Sequence, residues 1–202
     1  MQNRRLLLIF AKNPILNQVK TRLAHDIGAE NALKIYQHLL NYTRIITTPV
    51  DSTKHLYYAN HIPDEDEWSD TIYHKHIQTG ADLGTRMAHA FQAGFKAGYS
   101  SIVIIGTDCQ QLTTNIIDTA FDTLNTHNAV IGPAKDGGYY LLGMTAMHPT
   151  IFTNKQWSTD TVCTDTIATF NNLGLSYQQL TTLQDVDRVG DLETLWDIIH
   201  AN

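Results

Sequence analysis

Hydrophobic positions follow two rhythms along this chain. Leu6-Leu-Leu-Ile-Phe-Ala11 and Ile102-Val-Ile-Ile105 are continuous apolar runs, the second closed by Gly106 and then Asp108. Such runs, bounded by turn residues, read as strands buried on both faces of a parallel sheet. Shorter candidate strands follow at residues 55–59, 73–78, 129–132, 139–143 and 176–183. Between them apolar residues recur at helical spacing. Leu33, Tyr36, Leu39, Leu40 and Ile45 predict a helix over 29–47, and Met87, Phe91 and Phe95 another over 83–98. Further helices are expected at 114–126, 161–172 and 191–200. Residues 12–28, with Pro14, Asn17 and Gly28, read as a polar loop, and the acidic stretch 63–68 as a solvated loop or the start of a short helix. Strands alternating with helices predict an α/β fold, a three-layer sandwich with a mostly parallel central sheet. No repeat or linker divides the chain, so one domain over 1–202 is expected.

Composition narrows the function classes. At 202 residues the chain can bury a substantial core, and 43% hydrophobic with 17% charged residues describes an ordinary globular protein. A net charge of −6 offers no global basic field, so nucleic acid is not an expected partner, and basic residues near the N-terminus become a local site. The apolar run after Arg4-Arg5 is short and leads into Lys12-Asn13-Pro14, which predicts a first strand rather than a signal peptide. No run reaches membrane-spanning length. Two cysteines, Cys109 and Cys163, fit free thiols in a reducing cytoplasm, without a disulfide framework or a thiolate zinc site.

Chemistry concentrates where strands end. In open α/β sheets ligands bind outside the carboxyl ends of the strands. Lys12, Lys20 and Arg22 follow the first strand, where such folds receive phosphates; taken alone they read more readily as a solvated basic loop, and the stretch contains neither GxxxxGK[ST] nor GxGxxG. Two readings are open for Gln78-Thr-Gly-Ala-Asp-Leu-Gly-Thr-Arg-Met87. Asp82 or Thr85 caps a helix, or Gly80 and Gly84 let the backbone approach a ligand near Arg86. Asp108 stands ahead of the next helical pattern, which Thr113 or Thr114 can cap, so its placement favours a ligand role; Asp187 near the C-terminus is a second candidate acid, with the competing reading of an Asp-rich turn before a last helix that Asp191 could cap. Two carboxylates on one sheet edge suit Mg²⁺ or Mn²⁺. Gly132-Pro-Ala-Lys-Asp-Gly-Gly-Tyr139 holds a hairpin-type Asp136-Gly137, but a hairpin alone does not require Gly138 and the tyrosines after it. Neither HExxH nor GxSxG occurs, which leaves zincin and Ser-hydrolase chemistry unsupported. Cys109 has no His near it in sequence and is expected to be structural.

The ordered set Lys12-x-Pro14, Val19-Lys-Thr-Arg-Leu23, Gly80-x-Asp-Leu-Gly-x-Arg-Met87, Gly106-Thr-Asp-Cys109, Gly132-Pro-x-x-Asp-Gly-Gly-Tyr-Tyr-x-Leu-x-Gly143 and Asp185-x-Asp187 spans almost the whole chain. It resembles a bacterial family of uncharacterised glycosyltransferase-like proteins (DUF2064-like) in the nucleotide-diphospho-sugar transferase superfamily, of GT-A-type fold. The resemblance implies a metal-assisted diphosphate site, with Asp108 and Asp187 at the metal-holding positions. Lys20-Thr-Arg22 is also similar to a run in a guanylyltransferase of deazaflavin-cofactor biosynthesis. The chain departs from the family pattern at Asn17, where glycine is usual, at Gln110, where proline is usual, and at Arg188-Val189, where Thr-Pro is usual.

The expected function is glycosyl transfer from a nucleotide-diphosphate sugar to an acceptor. The alternatives are nucleotidyl transfer from an NTP with pyrophosphate release, and nucleotide binding without turnover. Lys12, Lys20, Arg22, Gly80, Arg86, Gly137 and Gly138 are the expected nucleotide-binding residues. Asp136 is the expected catalytic group, as an orienter or general base at the sugar or the acceptor hydroxyl.

Overall fold

The computed structural model describes residues 4–192 and 195–200. Its strands are β1 (Arg5–Ala11), β2 (Thr53–Tyr58), β3 (Tyr73–Ile77), β4 (Ser101–Ile105), β5 (Ala129–Pro133), β6 (Tyr139–Met144) and β7 (Tyr177–Gln179). They form one seven-stranded sheet in the order β3-β2-β1-β4-β6-β5-β7. Strand β6 runs antiparallel to β4 and β5, and the other pairs are parallel. The two continuous apolar runs lie side by side near the centre, Leu8 opposite Ile104. Alternation sends Leu7, Ile9, Val103 and Ile105 to one face and Leu6, Leu8, Ile102 and Ile104 to the other, all buried. Each such side chain contributes about 1.5–3 kcal/mol by leaving water.

The helices are α1 (Thr21–Ile27), α2 (Ala29–Thr47), α3 (Leu83–Lys96), α4 (Thr114–Thr123), α5 (Val162–Asn172) and α6 (Trp196–His200). Helices α2 and α4 supply Tyr36, Leu40, Ile117 and Phe121 to one face of the sheet. Helices α3 and α5 supply Met87, Phe91, Cys163 and Phe170 to the other, which completes the three layers. Leu23, Ile35, Leu39 and Leu195 form a smaller cluster that joins α1 and α2 to the C-terminal segment. Asp82 caps α3 by accepting the Thr85 N–H at 2.7 Å, and Thr113 caps α4 through the Ile116 N–H at 3.3 Å. Among the described residues no helix is long and apolar enough to cross a membrane.

Three expectations are corrected. The loop predicted over 12–28 contains helix α1, which has one buried residue, Leu23, and therefore shows no apolar period. The strand predicted over 176–183 pairs only at 177–179, with an isolated bridge from Leu183 to Ala134. The helix predicted over 191–200 is a 3-10 turn at Val189–Asp191 and then α6; Glu193 and Thr194, within that range, lie outside the described residues.

Two features of the topology position the site. The chain runs outward from β1 to β3 and then returns to β4 on the other side of β1, so a crevice opens between the carboxyl ends of β1 and β4. Because β6 is reversed, the turn between β5 and β6 lies at that same edge.

Candidate functional site

A cleft of about 780 Å³ occupies this edge. Lys12, Lys20, Arg22, Arg86, Asp108, Asp136, Gly138 and Asp187 all line it, so most of the expected site residues meet in one place. Gly80 and Gly137 do not line it. At Gly80 (φ 141°) a Cβ would press on the first turn of α3, and at Gly137 (φ 90°) it would strike the backbone of Asp160. These two glycines allow the chain to approach itself.

The basic and acidic groups interleave. Lys20 Nζ pairs with Asp108 Oδ1, and Arg22 Nη1 donates to Asp187 Oδ2 at 2.8 Å. Arg22 is well exposed, with 60% of its side chain accessible, but Lys20 retains only 4%. Lys20 stands at the N-cap of α1 with φ 48°, a left-handed conformation that costs a non-glycine residue about 1 kcal/mol or more. The polar stretch around Lys20 thus hides a buried cation held under backbone strain, where an exposed loop residue was expected. Asn17 is also left-handed, at φ 63°, a region that asparagine enters more readily than most residues. Arg86 donates its Nε–H to the Gly80 carbonyl at 3.1 Å, which orients its guanidinium.

The acids are tied to one another through the backbone. The Val186 N–H donates to the Asp108 carbonyl at 2.8 Å and so binds the Asp185–Asp187 segment to the end of β4. Asp185 lines the cleft beside them, although of the Asp185-x-Asp187 run only Asp187 was expected to hold a metal. Burial, and then the negative charge of Asp108 and Asp136, pushes its carboxyl up to about 7, with Lys20 opposing the rise. Its Oδ1 is buried without a hydrogen-bond partner among the described residues. Among the described residues no group of three or more His, Cys, Asp or Glu is gathered closely enough to hold a metal ion, so Mg²⁺ or Mn²⁺ here would take one or two of these carboxylates and complete its shell with phosphate oxygens and water.

Tyr36, buried on α2, joins the two strand ends. Its hydroxyl accepts the Lys12 N–H at 2.8 Å and lies 3.1 Å from Thr107 Oγ1. Burial, with Asp108 nearby, holds this phenol protonated well above the ordinary tyrosine range. Tyr36 was legible only as an apolar helix position. Across the cleft, Asp136 accepts the Gly138 N–H at 2.9 Å, a turn contact that fixes its carboxylate, and it remains exposed. Tyr139 and Tyr140 project toward opposite faces of the sheet, yet both reach the cleft. Trp157, Ser158, Thr159 and Asp160 close the far side. The Trp157 indole sits where a Cβ on Gly84 would be, so Gly84 is the seat of this aromatic. No periodicity marks Trp157, and only the glycine of Leu83-Gly-Thr could have hinted at it. Cys109 is buried at the edge of the cleft, and burial pushes its thiol up to about 12, far from a thiolate nucleophile.

The sheet order, the crevice at β1 and β4 and the cleft of interleaved bases and acids define a protein with a nucleotide-diphospho-sugar transferase-like fold. The chain belongs to the DUF2064 family, described as "Uncharacterized protein conserved in bacteria", which matches residues 46–159. Among solved structures it is similar to a "putative nucleotide-diphospho-sugar transferase" from Desulfovibrio desulfuricans G20. The two share 32% identity over 95% of this chain and 86% of that one, with a TM-score of 0.88. At the level of fold it is also similar to the inositol-1-phosphate CTP transferase of T. maritima, 12% identical over 98% of this chain and 96% of that one, with a TM-score of 0.61. It is similar in the same sense to 2-C-methyl-D-erythritol 4-phosphate cytidylyltransferase of Thermus thermophilus, 10% identical over 100% of both chains, with a TM-score of 0.55. No curated protein matches the sequence.

Proposed function

We propose that this protein transfers a glycosyl group from a nucleoside-diphosphate sugar to an acceptor hydroxyl, assisted by Mg²⁺ or Mn²⁺. The observation that carries this reading is the pair of ion pairs Lys20–Asp108 and Arg22–Asp187 in one cleft. Cations for phosphate and carboxylates for a metal lie within contact distance of each other, as a diphosphate leaving group requires. The volume supports it, since about 780 Å³ lies toward the upper end for a small-molecule site. The name of the relative from D. desulfuricans supports the same class of donor.

The roles follow from position. Lys20 and Arg22 bind the diphosphate oxygens, and Lys12 and Arg86 add charge at the β1 and α3 ends of the cleft. Asp108 and Asp187 would hold the metal, with Asp185 beside them. When bound, the metal neutralises charge that develops on the leaving diphosphate. Asp136, fixed by the Gly138 N–H, takes the proton of the acceptor hydroxyl as that oxygen attacks. Trp157 and Tyr139 shield the reacting end from water. Two buried free thiols suit the reducing cytoplasm, the location we propose.

A thermal-shift panel of nucleoside diphosphate sugars and NTPs, with and without Mn²⁺, tests the reading. Stabilisation by nucleotide sugars over NTPs, followed by release of the nucleoside diphosphate with an acceptor panel, is the expected result. Pyrophosphate release from an NTP would replace glycosyl transfer by nucleotidyl transfer. Binding without either product leaves a nucleotide-binding protein.

A further inference from the structure

We infer that Lys20 is the resident counter-ion of the acidic site, so that the ligand-free protein excludes a free divalent cation and admits one only together with a diphosphate. The inference rests on the metal-and-diphosphate reading above. Its starting point is the contrast between the two ion pairs. Arg22 and Asp187 are both substantially exposed, and water screens their attraction. Lys20 keeps only 4% of its side-chain surface exposed, although its partner Asp108 is 42% exposed, so the contrast between the two pairs lies in the cation.

The chain holds this ammonium in place under strain. Lys20 is left-handed at φ 48°, and its carbonyl accepts the Ala24 N–H at 2.7 Å to start α1. Glycine would adopt this conformation freely; a lysine stays only because its position is otherwise determined. The site therefore already contains one positive charge. A divalent ion entering alone must compete with this ammonium, because removal from Asp108 would leave Lys20 buried and unpaired. A diphosphate changes that balance. Its oxygens give Lys20 and Arg22 new partners, and the long lysine stem lets the ammonium move from carboxylate to phosphate without the backbone moving. Asp108 and Asp187 are then released together for the metal. Coupling of this kind is reciprocal, so the metal raises the affinity for the diphosphate by the same factor.

The test measures protein-bound Mn²⁺ by equilibrium dialysis and metal analysis. The proteins are the wild-type chain, Lys20→Met and Lys20→Gly, each with Mn²⁺ alone and with Mn²⁺ plus inorganic pyrophosphate. Lys20→Met keeps the stem, and Lys20→Gly relieves the left-handed strain, so a fold problem in one variant does not silence the other. Pyrophosphate should tighten Mn²⁺ binding to the wild type by roughly tenfold or more. Both variants should bind Mn²⁺ alone by a similar factor more tightly than the wild type does, and adding Asp108→Asn to Lys20→Met should abolish that gain. Should the wild type take up Mn²⁺ with pyrophosphate while neither variant binds Mn²⁺ alone any better, the counter-ion role is overturned and the proposed function stands. No uptake by any of the three proteins under either condition overturns the metal-assisted reading, and this inference falls with it.

Discussion

The carboxylate of Asp191 accepts the backbone N–H of Asp187 at 3.0 Å and that of Arg188 at 2.8 Å. One acid thus sets the backbone beneath another, four residues away, whose side chain faces the cleft. Asp191→Ala should lower stability by about 0.5–2 kcal/mol, as loss of a cap does, and weaken Mn²⁺ binding in the presence of pyrophosphate. Asp191→Asn, which keeps an acceptor oxygen, should restore both. Thermal melts and dialysis check this; an Ala variant with wild-type metal binding would reduce Asp191 to a local cap.

Arg22 offers the cleaner measure of a phosphate contact, because 60% of its side chain is exposed and nothing in the core depends on it. Arg22→Ala should leave the melting temperature within about 2 °C, the shift expected from a surface change of some 0.5 kcal/mol or less. It should weaken diphosphate binding by about 1.5–3 kcal/mol, the usual loss for a charge-assisted hydrogen bond. Calorimetric titration of the bound nucleotide reads the difference.

Asp136→Asn separates turn from chemistry. An amide oxygen can still accept the Gly138 N–H, so fold and donor affinity should persist. Asn cannot take a proton, and turnover should fall by about 10²–10⁴. Wild-type turnover in a folded variant would make Asp136 a turn residue.

Gly84→Ala places a methyl group into the Trp157 indole. Overpacking of this kind costs about 1–3 kcal/mol, and here the strain has an outlet in the 153–161 loop. The variant should show altered tryptophan fluorescence and a raised KM for the acceptor, with donor affinity unchanged. Identical spectra and kinetics would show that the indole is not seated as described.

Stability should depend on pH through His55. Burial, and then the neighbouring His76 and His74, lowers its pKa from 6.5 to about 4. The unfolded chain therefore takes up this proton before the folded one does. The contribution of neutral His55 is fully present above about pH 6.5 and is lost as pH falls toward about 4. The melting temperature of His55→Phe should decline less than that of the wild type across this interval. Parallel declines would assign the acid sensitivity to other groups.

Much of this was legible before any coordinates, and the physical reason is burial from both sides. Leu6 to Ala11 and Ile102 to Ile105 are apolar without a break because each strand is covered on two faces, so no period is needed to find them. Helix α2 was readable for the opposite reason, since one face alone is buried. Helix α1 was not, because Thr21 and Arg22 are exposed and its start depends on a left-handed lysine, which no propensity favours. Asp108 could be found because a strand end places it. Asp185 could not be told from Asp187, since its perturbation comes from burial and then from Asp108 and Asp136, far away along the chain. Trp157 belongs to an irregular loop, and only its fit over Gly84 gives it a place.

The reversal of β6 has an evolutionary consequence. A parallel strand reaches the ligand edge only through a crossover helix packed on the sheet, so the β1 and β4 ends cannot change length without disturbing the core. The β5–β6 turn reaches the same edge directly, and Cys163 N–H, donating to the Gly137 carbonyl at 2.9 Å, links it to the first turn of α5, directly after the loop that carries Trp157. Substitutions and small insertions at 134–135 and 153–159, which spare Asp136 and the close approach of Gly137 to Asp160, would leave every proposed phosphate contact where it is. Divergence in what accepts the transferred group should therefore gather in these two adjoining segments, while Lys20, Arg22, Asp108 and Asp187 are left to drift together or not at all.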